Sequence, residues 1–177
     1  TDVDCGATCG AAKLCATGKA CGTSADCASG ACKGNVCVET IRVVRVGDGN
    51  AALTSTSTAV FLDHFYLDGS VVATALAMPT ATSGSNSPVT LSGTATSEGQ
   101  LSRSGDGHFL ALAGYTSTPG AATSGRVASR ISATNVVDSS TLLPTAFSGS
   151  NLRGIATQDG TSFWLTGNSS SSSGGVW

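Results

Sequence analysis

Three groups of side chains in this 177-residue sequence have types and spacings that could do chemistry. Seven cysteines crowd the start, two histidines each lie within two residues of an aspartate, and four aspartates are followed directly by glycine. The cysteines are Cys5, Cys9, Cys15, Cys21, Cys27, Cys32 and Cys37, and the remaining 140 positions contain none. Zinc sites place paired cysteines two to four residues apart, often with histidine. Here the gaps are three, five, five, five, four and four intervening residues, and no histidine lies among them. A disulfide framework in an oxidising compartment is therefore the better reading. Residues 1–40 hold no aromatic side chain and few large aliphatic ones. Such a segment cannot bury enough surface to offset its ordering entropy without covalent links. Spacing leaves the connectivity open. The odd count leaves one thiol over, expected to be Cys5 or Cys37 at the ends of the array, either free or joined to another chain.

The histidines are His64 and His108. Ser104, Asp106 and His108 contain the residue types of a nucleophile, acid and base, but residues this close in a turn rarely converge on one substrate atom. There is no Gly-x-Ser-x-Gly elbow and no His-x-x-x-His pair. No residue is assigned a catalytic or metal-ligating role, no cofactor is expected, and the chain is not expected to be an enzyme. Asp48, Asp106 and Asp159 recur at equivalent positions, which raises calcium. Calcium needs several oxygens converging within one loop, however, and each of these loops offers a single aspartate beside glycine. Turn formation explains them better.

With nine basic and eleven acidic residues the net charge is -2, so the chain lacks the basic face that nucleic acid or an anionic membrane surface requires. No apolar run approaches the roughly 20 residues that span a bilayer; the longest candidate, Ala59 to Leu67, is interrupted by Asp63 and His64. The start, Thr1-Asp2-Val3-Asp4-Cys5, has no initiator Met, basic stretch or apolar stretch. It reads as a mature chain whose leader has been removed, the alternative being an arbitrary starting point.

Positioning these residues falls to short β-type runs, with no helical periodicity from Ile41 onward. The runs are Ile41 to Val46, Ala59 to Leu67, Ser70 to Leu76, Phe109 to Ala113, Arg126 to Ala133, Asn151 to Thr157 and Ser162 to Thr166. Asp48-Gly49, Asp68-Gly69, Asp106-Gly107 and Asp159-Gly160 join several of them, a dipeptide that favours hairpin turns with both central residues at positive φ. The aromatic residues are scarce, so Phe61, Phe65, Tyr66, Phe109, Tyr115, Phe147, Phe163, Trp164 and Trp177 are expected mostly in the core. Phe163 and Trp164 face opposite ways along a strand, so one of them is less buried, and an exposed Trp164 would suit a sugar or protein contact. The hydroxyl-rich stretches Thr54 to Thr58, Thr80 to Ser87, Thr116 to Ser124 and Asn168 to Ser173 read as too polar to pack. They are either flexible loops or mucin-like O-glycosylated segments. Asn168-Ser169-Ser170 is an N-glycosylation sequon, with Asn168 the acceptor.

The chain also repeats itself. Arg45-Val46-Gly47-Asp48-Gly49 matches Arg103-Ser104-Gly105-Asp106-Gly107, 58 positions on, and Asp106 to Gly114 matches Asp159 to Gly167, 53 positions on. A weaker match sets Leu67-Asp68-Gly69-Ser70 against Val137-Asp138-Ser139-Ser140. A period near 50 residues with several short strands per unit suits a propeller blade.

Two resemblances follow from these motifs. Cys21-Gly22-Thr23-Ser24-Ala25-Asp26-Cys27 with Gly30, Cys32 and Cys37 resembles small cystine-rich modules in secreted proteins of myxobacteria and other bacteria. It covers roughly residues 15–37 and implies an extracellular location and no catalytic activity. Lacking aromatic residues, this segment also lacks a stacking platform for sugars. Leu91-Ser92-Gly93-Thr94-Ala95-Thr96-Ser97-Glu98-Gly99, then Leu101 to Gly107 and Phe109 to Tyr115, is similar to secreted Ser/Thr/Gly-rich propeller-like repeat proteins of bacteria and algae. Ser148 to Arg153 and Gly174-Gly175-Val176-Trp177 fit the same pattern. That resemblance covers residues 41–177 and implies blade-like sheets, although this length holds only about two and a half blades where a closed propeller needs at least four.

The sequence thus predicts a disulfide-rich module over 1–40 and an all-β, antiparallel domain over 41–177, built as a partial propeller or alternatively as a β-sandwich. It predicts a secreted, non-enzymatic surface protein with structural or adhesive roles, open sheet edges suiting a filament or coat subunit. The partners implied are further copies or other extracellular proteins, with glycans in second place. A carbohydrate- or protein-binding module is the runner-up, and an extracellular enzyme the third reading.

Overall fold

β-Branched and aliphatic residues at every second position produce strands, and the intervening Gly, Asp, Asn and Ser terminate them. In a computed structural model, which describes residues 5, 6, 13–147, 149–168, 175 and 176, the chain is all-β with several antiparallel sheets. A two-stranded hairpin comes first, β1 (Cys32–Lys33) with β2 (Val36–Cys37). The next sheet orders β3 (Thr40–Val46), β4 (Ser57–Tyr66) and β5 (Val71–Ala77), and β6 (Thr90–Ser92) also pairs with β4. A four-stranded meander follows: β7 (Ser102–Arg103), β8 (Phe109–Gly114), β9 (Val127–Ser132) and β10 (Val137–Leu142). The last sheet orders β11 (Leu152–Thr157), β12 (Phe163–Gly167) and β13 (Gly175–Val176). Among the described residues these sheets close into no barrel or propeller, and no helix is long and apolar enough to cross a membrane.

The chain forms two compact units. One comprises the described residues up to Val43 together with Asp63–Ala75; the other comprises Val44–Leu62 and the described residues from Leu76 onward. In the first unit the buried cluster is made of sulfur. Cys15, Cys21, Cys27 and Cys37 are all at most 3% exposed, and Cys5 and Cys32 pack against them. Asp26 supports the loop around them, its carboxylate accepting the amides of Gly22 and Thr23 at 2.9 Å each. The hairpin end at Tyr66–Ser70 joins the same unit through Lys33, which lies over the Tyr66 ring (4.4 Å) and bonds Asp68 (2.9 Å).

In the second unit both faces of the β8–β9 pair are buried, and the alternation sorts them by size. Leu110, Leu112, Val127 and Ile131 pack with Val60 and Leu62 of β4 and with Met78, Val89 and Leu91. Ala111, Ala113 and Ala128 face the other way, against Phe147, Leu152, Ile155 and Leu165 of the β11–β12 segment. Large side chains on one face and alanines on the other let a third sheet lie close on the second. Gly114 lies on the Leu110–Leu112 face, where a Cβ would stand 2.7 Å from the carbonyl of Thr90, so β6 can approach the end of β8 closely.

Three expectations are corrected. First, Asp-Gly does not supply the two central residues of a turn at positive φ. At Tyr66–Ser70 the amide of Gly69 bonds the carbonyl of Tyr66, so Leu67 and Asp68 are central, and only Gly69 has positive φ (82°). The turn at Ser104–Gly107 follows the same rule, with Gly107 at 77°. A left-handed aspartate costs about 1–2 kcal/mol. A turn followed by a left-handed glycine avoids that cost while still reversing the chain. Second, aromatic residues do not fill the core. Tyr115 and Phe147 are buried, but Phe61, Phe65, Tyr66, Phe109 and Phe163 are half-buried at sheet surfaces. Arg45 lies over Phe61 at 4.6 Å and Arg130 over Phe109 at 5.2 Å, so cations rather than aliphatic side chains cover two of these rings. Trp177 lies outside the described residues. Third, hydroxyl-rich segments do pack. Ser57 is 1% exposed, its hydroxyl 2.6 Å from that of Ser117, and its backbone pairs with Gly120 and Ala121. Short hydroxyl side chains can be buried when each meets a partner.

Candidate functional site

The cysteine array resolves into three bridges: Cys5–Cys15, Cys21–Cys32 and Cys27–Cys37. Cys5 and Cys37, the expected odd thiols, are therefore both paired, and Cys9 lies outside the described residues. Position at the ends of an array says nothing about which Cα pairs come within bridging reach. The sulfurs of Cys21, Cys27 and Cys37 lie within 4.8 Å of one another. As cystine sulfurs they carry no thiolate, the form that ligates metal.

At the second repeated turn, Ser104, Asp106 and His108 come together without forming a relay. The Ser104 hydroxyl donates to Asp106 Oδ1 (2.6 Å), and its oxygen accepts the amide of Phe109 (2.9 Å). His108 meets Asp106 through its backbone amide, at 3.0 Å. These bonds, that from the amide first, hold the Asp106 carboxyl below its usual range. Asp48, Asp68, Asp138 and Asp159 repeat the device, each accepting the amide two residues on, from Asn50, Ser70, Ser140 and Thr161. The carboxylates therefore brace their own loops, the Asx-turn geometry. The weak match between the Asp68 and Asp138 segments is this shared motif in two settings. Asp68 caps a hairpin, whereas Asp138 sits in β10, where the register with β9 shifts.

His64 is a different case. It is 2% exposed on β4, and its Nε2 has no hydrogen-bond partner. Burial, with a smaller contribution from Arg42, pushes its pKa down to about 4. The imidazole is thus neutral near pH 7.

The glycosylation and ligand-contact candidates both fall in the last sheet. Asn168 is exposed, with its Oδ1 accepting from Arg153 (3.3 Å); Ser169 and Ser170 lie outside the described residues. Trp164 is 52% exposed and sits directly across from Ala156, while Thr166 on the same face is paired with Gly154 and Val176. The opposite face of this sheet carries Leu152, Ile155 and Leu165, all buried.

A further site has no signature in the residue pattern. Arg126, just before β9, is only 6% exposed. Its Nη1 donates to the carbonyl of Gly125 (2.7 Å), and its Nη2 donates to those of Phe147 (2.9 Å) and Ser150. The guanidinium lies 4.4 Å over the Tyr115 ring, and its Nε is buried without a partner. The nearby Glu98 accepts the Tyr115 hydroxyl and the amide of Ser92. Burial pulls the pKa of Arg126 down, and burial with Glu98 pushes that of Tyr115 up. Phe147, fully buried, stands at φ 55°, a backbone conformation a bulky residue holds only when its surroundings enforce it. Beside this cluster opens a cleft of about 380 Å³, lined by Tyr115 and Arg126 and by Thr123, Ser124, Ser150 and Asn151 among others. An arginine preceding a strand reads as a surface residue in sequence; only the loop after β10 folding over it makes it a buried one. No protein family, curated protein or solved structure matches this chain, so its function rests on its own geometry.

Proposed function

We propose that the chain is a secreted, non-enzymatic structural protein of the cell exterior, adhesive or coat-forming, whose copies associate through the outer face of the β11–β12–β13 sheet. The observation that carries this reading is the exposed side of that sheet, where Trp164 and Val176 stand 52% and 70% exposed. The chain already packs sheet face on sheet face within itself, at the alanine face of β8–β9. A second copy seated on Trp164 continues that packing outward. The three sheets after residue 39 follow one another in chain order, as blades do, and the resemblance to secreted propeller-like repeat proteins supports a blade-like reading of an open stack. Three disulfides within the first 37 residues support an oxidising, extracellular setting.

Sedimentation of the wild type and Trp164→Asp across a concentration series tests the proposal. Reversible assembly that the substitution abolishes is the expected outcome; a wild type that stays monomeric throughout overturns it. The exposure of the same indole favours one second reading, a carbohydrate contact by ring stacking. Saturable glycan binding by a monomeric wild type, lost in Trp164→Ala, would select that reading instead.

A further inference from the structure

We infer that the cleft beside Arg126 and Tyr115 is a binding site for a small acidic sugar, a monosaccharide-sized ligand whose carboxylate meets the guanidinium. The inference is independent of the stacking proposal, because it uses different residues and a different readout. Arg126 is a cation removed from water, and among the described residues no carboxylate bonds it: its partners are three carbonyl oxygens and an aromatic face. Carbonyls solvate a buried cation only in part, and such a charge is ordinarily paired. Glu98, whose charge acts on Arg126 without bonding it, has one oxygen engaged by Tyr115 and the other by the amide of Ser92. Arg126 is the one charged residue of the cleft's lining, and Glu98 is not part of it.

The chemistry of its walls narrows the ligand. A planar guanidinium recognises carboxylate and phosphate above other groups. Arg126 is the one basic residue of the lining, which suits a singly charged carboxylate better than a phosphate dianion. Thr123, Ser124, Ser150 and Asn151 supply hydroxyl and amide groups, so the rest of the ligand is polar rather than apolar. At about 380 Å³ the cleft lies at the small end of ligand sites, which fits one or two sugar rings. Phe147, held in its left-handed conformation next to Arg126, keeps the loop that forms one wall in place.

Calorimetric titration of the whole chain with glucuronate, glucose and acetate tests the assignment. Glucuronate is expected to bind saturably in the millimolar range, with glucose and acetate each at least about tenfold weaker. Arg126→Lys should weaken glucuronate by about tenfold or more, since one ammonium cannot hold the carbonyls of Phe147 and Ser150 and still donate to the ligand. Because Arg126 also holds the loop, Thr123→Phe is the control: it fills the cleft from its half-exposed rim, and it should abolish binding while the circular dichroism spectrum and melting temperature stay those of the wild type. No saturable glucuronate binding by the wild type overturns the inference. So does equal binding of glucose or acetate, or unchanged affinity in a folded Thr123→Phe variant.

Discussion

The two compact units meet the same requirement with different materials. In the first, the buried cluster is cystine: Cys15, Cys21, Cys27 and Cys37 are at most 3% exposed, with Cys5 and Cys32 packed against them. In the second, the core is aliphatic, with Val60, Leu62, Met78, Val89, Leu112 and Val127 all at most 2% exposed. Ordering a residue costs about 1–2 kcal/mol of backbone entropy in either place. A short segment poor in apolar volume offsets this by restricting its unfolded state covalently, whereas a longer one offsets it by removing surface from water. Composition thus decides how each unit is held together, and reducing agent and core truncation should separate them.

The largest expected effect is on the aliphatic core. Leu112→Ala, in the middle of β8, should destabilise the sheet stack by about 3–4 kcal/mol, through lost burial and the cavity left behind. Urea unfolding followed by tryptophan fluorescence measures it, and a cost below 1 kcal/mol would mean that Leu112 is not central to the packing. Second is the cystine core. Replacing Cys27 and Cys37 by serine should cost about 3 kcal/mol, confined to the first unit. Hydrogen exchange should then show residues 15–37 losing protection while β8 and β9 keep theirs; equal loss in both would erase the distinction between the units. The third and smallest effect concerns His64, a buried group of the first unit that is not sulfur. Its folded pKa, about 4, lies below the unfolded value of about 6.5, so the folded state favours the neutral ring. That contribution is full above pH 6.5 and is lost as pH falls, by up to roughly 2–3 kcal/mol once pH drops below 4. His64→Leu should flatten the decline of stability between pH 6.5 and 4, and parallel pH profiles would remove His64 from the account.

The strands were largely legible in the residues. Seven expected runs correspond to β3, β4, β5, β8, β9, β11 and β12, since alternation and β-branching are local signals. β10 was not among the expected runs: Val137–Leu142 contains Asp138, Ser139, Ser140 and Thr141, which break the apolar alternation. It is a strand because β9 offers a partner and Ser139, fully buried, bonds the carbonyl of Ser87. Of the candidate site residues, the Phe163–Trp164 pair was legible as placing one ring outward, with the structure deciding that it is Trp164, and the turn aspartates were legible from their glycines. Arg126 was not, because its burial depends on Phe147 and Ser150, more than twenty positions away.

By itself, then, the sequence determined an all-β chain, a cystine-rich segment at its start and the positions of most strands and turns. These properties follow from side-chain type, two-residue periodicity and backbone preference, all of which act over a few neighbouring residues. Only the tertiary structure decided which cysteines pair, which hydroxyls are buried, that cations cover half-buried rings, and that a guanidinium lies beside a cleft. Each of those depends on which distant segments come within a few ångströms of one another, and many sequences with the same local pattern would bring different ones together.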